Sequence, residues 1–115
     1  MHELTLLIGV AEQVSDAAKE NGLDHVDAVV LQIGEVTGVV PDFMQDGYPI
    51  VMDNYDVLRG SELIIEVIPG IAKCQSCGTE YELNPNKGIC PHCGSQDKDL
   101  LSGREFIIKE IQVKE

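Results

Sequence analysis

All four cysteines of this chain fall in two matched hooks, Cys74-Gln-Ser-Cys77-Gly78 and Cys90-Pro-His-Cys93-Gly94. Two thiolates held two residues apart on a tight turn grip one side of a tetrahedral ion, and a second such turn closes the other side. Glycine after each hook lets the backbone fold back sharply and aim an amide at a sulfur. Sulfur donors in this number select Zn(II), or iron held as in a rubredoxin. Four thiolates fill a tetrahedral site and leave no position for water or substrate, which is the pattern of a structural metal site. The segment around the hooks is too short to bury a core of its own, so metal binding is expected to supply its folding free energy. The short gap between hooks and the absence of tryptophan favour zinc over an iron–sulfur carrier. Two disulfides are the formal alternative. His92, inside the second hook, reads as a turn residue with no vacant coordination position to fill.

A second, quieter donor set opens the chain at Met1-His2-Glu3. A free α-amine, the amide nitrogen of His2 and the His2 imidazole can form fused chelate rings around one ion, with the Glu3 amide in reach as a fourth nitrogen. Planar all-nitrogen coordination suits Ni(II) or Cu(II) rather than Zn(II) or Mg(II). Such a site requires an unextended amino terminus. Spacing alone leaves the bland alternative open, an incidental terminal histidine, and His25 reads as bland too.

The 115 residues carry 20 acidic against 8 basic side chains, a net charge of −12. Phosphate binding needs a basic footprint, so nucleic-acid binding is not expected; protein partners and cations are. The start lacks a basic n-region, and no apolar run reaches spanning length, so neither secretion nor membrane insertion is expected. A cytoplasmic, reducing location follows, where clustered cysteines serve metals rather than disulfides. No serine–histidine or cysteine–histidine pairing and no phosphate-binding glycine loop is indicated, so an enzyme is not expected.

The elements that must position these donors are readable from periodicity. Leu4, Leu7 or Ile8, Ala11, Val14 and Ala18 predict an amphipathic helix over 4–20, ended by Asn21-Gly22. Residues 26–35 read as a strand with Val29, Leu31 and Ile33 on one face, and Gly34 suggests a bulge or a close backbone approach. Pro41 suits the first position of a second helix. Gly47 and Pro49 predict a break or kink near Tyr48, with helix resuming from Pro49 to about Val57. Residues 62–68 and 105–113 read as two more strands flanking the cysteine module. The simplest topology pairs those two strands antiparallel, with the module as a long hairpin excursion. The expected class is α+β: a three-stranded antiparallel sheet with two helices, plus an inserted four-cysteine zinc ribbon.

Several stretches together resemble the HypA/HybF family. They are Met1-His2-Glu3-Leu4, Val30-Leu31-Gln32-Ile33-Gly34-Glu35, Gly38-Val39-Val40-Pro41, Gly60-Ser61-Glu62-Leu63, the paired hooks, and Ile107-Ile108-Lys109-Glu110-Ile111-Gln112-Val113. The resemblance spans nearly the whole chain. It implies a nickel metallochaperone of hydrogenase maturation, with a nickel-binding domain (1–69 with 104–115) and a zinc-binding domain (70–103). It implies His2 as the essential nickel ligand, helped by backbone nitrogens of Met1 and Glu3, and Cys74, Cys77, Cys90 and Cys93 as zinc ligands. The implied partners are a nickel-handling GTPase, the large subunit of a [NiFe]-hydrogenase and, in some organisms, the urease maturation proteins. Two other readings stand beside it: a zinc-ribbon interaction adaptor without a nickel role, and a rubredoxin-like iron electron carrier.

Overall fold

In a computed structural model of the chain, the structure describes residues 3–114. The chain folds into two compact units. The first gathers the residues up to Gln32, Gly38–Glu66, and those from Ile107 onward; the second holds Ile33–Thr37 and Val67–Phe106.

Helix α1 spans Glu3–Glu20 and buries Leu7, Val10, Ala11, Val14 and Ala18, the stripe that its apolar spacing predicts. Its end is closed by Leu23 N donating to Ala18 O at 2.8 Å. Gly22 takes φ 68, a left-handed conformation that costs glycine nothing. Strand β1 (Ala28–Gly34) is buried along its length except at Gln32. That near-continuous apolar run suits a central strand covered on both faces.

Of the expected break or kink near Tyr48 and continuation to Val57, no break occurs and the helix stops short: α2 runs unbroken over Pro41–Met52. Two packing features override the local penalty. Gly47 faces α1 so closely that an added Cβ would lie 3.0 Å from Leu4 Cδ2, so the small residue serves helix–helix contact rather than a break. Tyr48 is buried and its hydroxyl pairs with Ser61 Oγ at 2.8 Å, pinning the turn just before Pro49. Burial pushes the Tyr48 phenol above its ordinary range, with the Ser61 hydrogen bond acting the other way. Pro49 falls in the last turn, where little helix remains to lose. Beyond it the chain makes turns and a short 3-10 segment, Asp56–Leu58.

Strands β2 (Glu62–Ile68) and β6 (Phe106–Gln112) complete a sheet in the order β2-β1-β6. The two strands flanking the cysteine module therefore do not pair with each other, as the simplest topology had it, because β1 lies between them. Asp27 N donates to Gln112 O and Gly34 N to Glu105 O, so β6 runs antiparallel to β1. Glu62 N bonds Asp27 O, and Gln32 Nε2 reaches Glu66 Oε1 at 3.2 Å. Those two strands thus advance together, which the helical passage through α2 permits. Lys109 Nζ also meets Glu66 at 3.1 Å, a half-exposed pair of small energetic weight.

In the second unit, β3 (Ile71–Cys74), β4 (Glu80–Glu82) and β5 (Lys98–Ser102) form an antiparallel sheet in the order β4-β3-β5. The class expected from sequence stands: α+β, with two helices, small sheets and a four-cysteine module.

Three glycines lock the base of this unit. A Cβ at Gly34 would lie 1.9 Å from Gly103 O, and one at Gly103 would lie 2.8 Å from Gly70 Cα. The close backbone approach expected at Gly34 is real. Overpacking ordinarily costs about 1–3 kcal/mol, and a main-chain carbonyl cannot swing aside as a side chain can. Gly34→Ala is therefore expected to lower stability by at least about 2 kcal/mol in urea unfolding; an unshifted midpoint would show the backbone approach to be looser than described.

Candidate metal centre

Each hook begins at a buried cysteine and swings out to an exposed one: Cys74 and Cys90 are buried, Cys77 and Cys93 exposed. The two hooks repeat one backbone pattern. Gly78 N donates to Cys74 O and Gly94 N to Cys90 O, both at 2.9 Å. Cys74 N bonds Thr79 O at 2.8 Å, and Cys90 N bonds Ser95 O at 2.9 Å. Gly78 and Gly94 take φ 80 and 79, the left-handed region in which a side chain is strained. This is the physical reason for glycine after each hook.

The hooks converge. All four sulfurs lie within 4.8 Å of one another. Cys74 Sγ and Cys93 Sγ are 3.5 Å apart, and Cys77 Sγ and Cys90 Sγ 3.6 Å. Sulfurs at zinc–thiolate distance (about 2.3 Å) on a tetrahedron stand about 3.8 Å apart, so the residues fit a tetrahedral ion. With every vertex a protein sulfur, the arrangement binds and holds but offers no open position for a reacting molecule.

The surroundings prepare the sulfurs for a cation. The Thr79 hydroxyl, 3.2 Å from Cys77 Sγ, and the Thr79 amide favour the thiolate and bring its pKa down to about 5. Backbone amides, that of Cys77 first, also lower Cys74. Cys93 goes the other way: the Ser95 amide lowers it, but Cys74, burial and the other two sulfurs outweigh that and hold it at about 12. Four sulfurs this close do not all ionise together unless a positive ion sits among them.

Other side chains hold the hooks in place. Tyr81, buried beside Ala72, Cys74 and Cys90, with Leu83 packed against them, forms the small apolar core under the sulfurs. Ser76 Oγ and Ser95 Oγ meet at 3.0 Å and tie hook to hook. Gln75 Nε2 reaches Asp99 Oδ1 at 2.8 Å, tying the first hook to β5. The Glu35 carboxylate accepts from Gly70 N and from Asn84 Nδ2, both at 2.8 Å. Thr79 and Ser95, each two residues past a hook's second cysteine, and Gln75 and Ser76 inside the first hook stood where sequence could have flagged them, whereas Tyr81, Asp99, Glu35 and Asn84 did not.

His92 is exposed on its turn and takes no part among the four sulfurs. His25 is exposed, 3.5 Å from Asp27. Met1 and His2 lie outside the described residues, and Glu3 is the first residue of α1. The structure therefore brings the four cysteines together and describes only the Glu3 end of the amino-terminal donor set. Among the described residues no other cluster of cysteine, histidine or carboxylate is arranged to hold a metal, and no helix is long and apolar enough to cross a membrane.

Comparison with known proteins places this architecture. A family model described as "Hydrogenase/urease nickel incorporation, metallochaperone, hypA" matches residues 1–113. The chain is 39% identical over 113 residues to the hydrogenase maturation factor HypA of Streptomyces avermitilis, covering 96% of this chain and 86% of that one. It is 38% identical over 115 residues to the factor of the same name from a Nostoc species, covering 100% and 97%. The solution structure of the Ni metallochaperone HypA from Helicobacter pylori aligns with TM-score 0.69 at 20% identity over 97% of each chain. A second solution structure, of a HypA protein, aligns with TM-score 0.72, again at 20% identity, over 99% of this chain and 97% of that one. At that identity the two structures speak for the fold, while the family model and the relatives speak for descent. The chain belongs to the HypA family of hydrogenase and urease nickel-incorporation metallochaperones, which are maturation factors and not enzymes.

Proposed function

We propose that this chain carries Ni(II) at its amino terminus and hands it on during [NiFe]-hydrogenase maturation, while the four cysteines hold a structural Zn(II). The observation that carries this reading is the family match across residues 1–113, taken with a cysteine centre that has no open vertex. A centre closed by four sulfurs retains its ion, so an exchangeable cargo belongs elsewhere. The amino terminus is the place with matching chemistry. The His2 imidazole, the His2 amide and the α-amine of Met1 supply nitrogens in fused rings. Glu3 begins α1, so its amide is among those a helix start leaves without an intrahelical partner. Square-planar nitrogen coordination suits Ni(II), and the cysteine set suits Zn(II).

On this reading residues 1–69 with 104–115 are the nickel-binding domain and 70–103 the zinc-binding domain. The partners are the nickel-handling GTPase that supplies or accepts the ion, the hydrogenase large subunit that receives it, and the urease maturation proteins where urease is made. The setting is the cytoplasm. The rubredoxin-like alternative is disfavoured by the core under the sulfurs, where Tyr81 is the one aromatic.

Metal analysis of untagged protein is the direct test. Protein prepared without added nickel is expected to be colourless with one tightly held zinc per chain, and nickel supplementation is expected to add one exchangeable nickel. Red protein with iron in the cysteine centre would sink the zinc assignment. Zinc alone after nickel loading would leave the interaction adaptor as the better account.

A further inference from the structure

The two helices of the first unit leave a strip of large apolar side chains in water. Leu4 is 53% exposed, Ile8 44%, Phe43 59% and Ile50 69%. They are not scattered. Gly47 on α2 lies against Leu4 and Leu7 of α1, marking where the helices touch. Ile8 stands one turn from Leu4, and Phe43 and Ile50 stand one turn either side of Gly47. The four side chains therefore line one outer edge of the α1/α2 seam. Helical spacing puts acidic residues next around each helix, Glu12 beyond Ile8 and Asp46 beyond Ile50. The two helices together carry Glu3, Glu12, Asp16, Glu20, Asp42 and Asp46 against a single lysine, Lys19, in the last turn of α1. Phe43 is one of two phenylalanines in the chain, and a fold that spent it on the core would not leave it 59% exposed.

We propose that Leu4, Ile8, Phe43 and Ile50 form a docking surface for a basic amphipathic helix of a partner protein. Contiguous exposed apolar surface with a polar rim marks an interaction site, and aromatic anchors dominate such contacts. The strip runs along a helix–helix seam from Phe43 to Ile50, a rise of about 10 Å, which matches two turns of a guest helix laid in the groove. The carboxylates on both sides select lysine or arginine at its flanks and disfavour an acidic guest. A second copy of this chain would bring the same carboxylates face to face, so it is a poor occupant. The strip begins at Leu4, two residues after His2 in the sequence. The docking surface itself does not depend on the nickel reading.

The test is an NMR titration of the full chain, without nickel, using a synthetic leucine/lysine helix with apolar residues at three- and four-residue spacing. A leucine/glutamate helix of the same apolar pattern is the control. Saturable shifts at the amides of Leu4, Ile8, Phe43 and Ile50 with the lysine helix only are expected. Phe43→Ser and Ile50→Ser should each weaken that binding roughly tenfold while leaving the unfolding midpoint in place, because both side chains are exposed. Shifts that map elsewhere, equal binding of the glutamate helix, or unaltered affinity in both variants would overturn the proposal. So would a concentration-dependent dimer in sedimentation that Phe43→Ser abolishes, because the occupant would then be a second copy. Nickel enters no arm, so failure here and failure of the nickel reading are separately visible.

Discussion

His2→Ala is expected to abolish stoichiometric Ni(II) binding while one zinc per chain is retained. The imidazole closes a second chelate ring with the His2 amide nitrogen, fused to the ring that the amide and the α-amine form, and without it the remaining nitrogens are poor competitors with water. The cysteine cluster draws on no donor before Cys74, so a zinc held there would have no reason to leave. Nickel titration followed by calorimetry and by visible absorption reads the first outcome, and elemental analysis the second. Placing one glycine ahead of Met1 should have nearly the same effect as His2→Ala, because it removes the α-amine from the chelate. Unchanged nickel affinity in His2→Ala would defeat the metallochaperone mechanism as drawn here, and would direct attention to side chains deeper in the first unit.

Cys90→Ser is expected to release the zinc and unfold most of residues 67–106, with the helices preserved. Cys90 is 2% exposed and is part of the core it shares with Ala72, Cys74 and Tyr81. The substitution removes a ligand and places a hydroxyl where a sulfur packed. Structural zinc contributes apparent free energies of about 10–16 kcal/mol in small zinc-folded peptides, far more than so small a core supplies. Both helices lie in the other unit, which has its own core in α1, β1 and α2. Far-ultraviolet circular dichroism should therefore keep its helical signal while hydrogen exchange in 67–106 accelerates sharply. Cys93→Ser removes a ligand from an exposed position, so it should weaken zinc with less disturbance of packing. Full exchange protection in zinc-free Cys90→Ser protein would refute the idea that the ion folds this unit.

The same centre has a definite pH behaviour. In the metal-free protein Cys77, with its pKa lowered to about 5, is already thiolate at neutral pH, whereas Cys93, held at about 12, is a thiol. The depressed Cys77 favours the fold at high pH and loses that contribution as pH falls through about 5. The raised Cys93 favours the metal-free fold at low pH and loses its contribution as pH rises toward about 12. Zinc requires all four as thiolates, so uptake near neutrality must expel protons and affinity must climb with pH.

Much of this protein is written in local pattern. The four-cysteine cluster is legible because paired cysteines with two residues between them on a turn, with glycine next, are a short-range geometry that the chain cannot disguise. Helix α1 is legible because its apolar residues keep helical spacing for its whole length. Strand β1 is legible from its β-branched run. Other features exist only once distant segments meet. Helix α2 survives Gly47 and Pro49 because Leu4 and Leu7 close on the glycine and Ser61 holds Tyr48. Nothing near residue 47 announces either partner. The strand order puts β1 between β2 and β6, because a strand with both faces apolar must take the centre, while the half-exposed β2 and β6 can stand at the edges. Glu35, an ordinary acidic residue in the sequence, takes on its role only when folding brings Gly70 and Asn84 to its two oxygens. By itself, then, the sequence determined the four-cysteine cluster and the main elements, since these depend on residue type and near spacing. The tertiary structure decided which sulfurs are buried, what tunes each of them, and which apolar side chains remain in water, since those depend on neighbours far away along the chain.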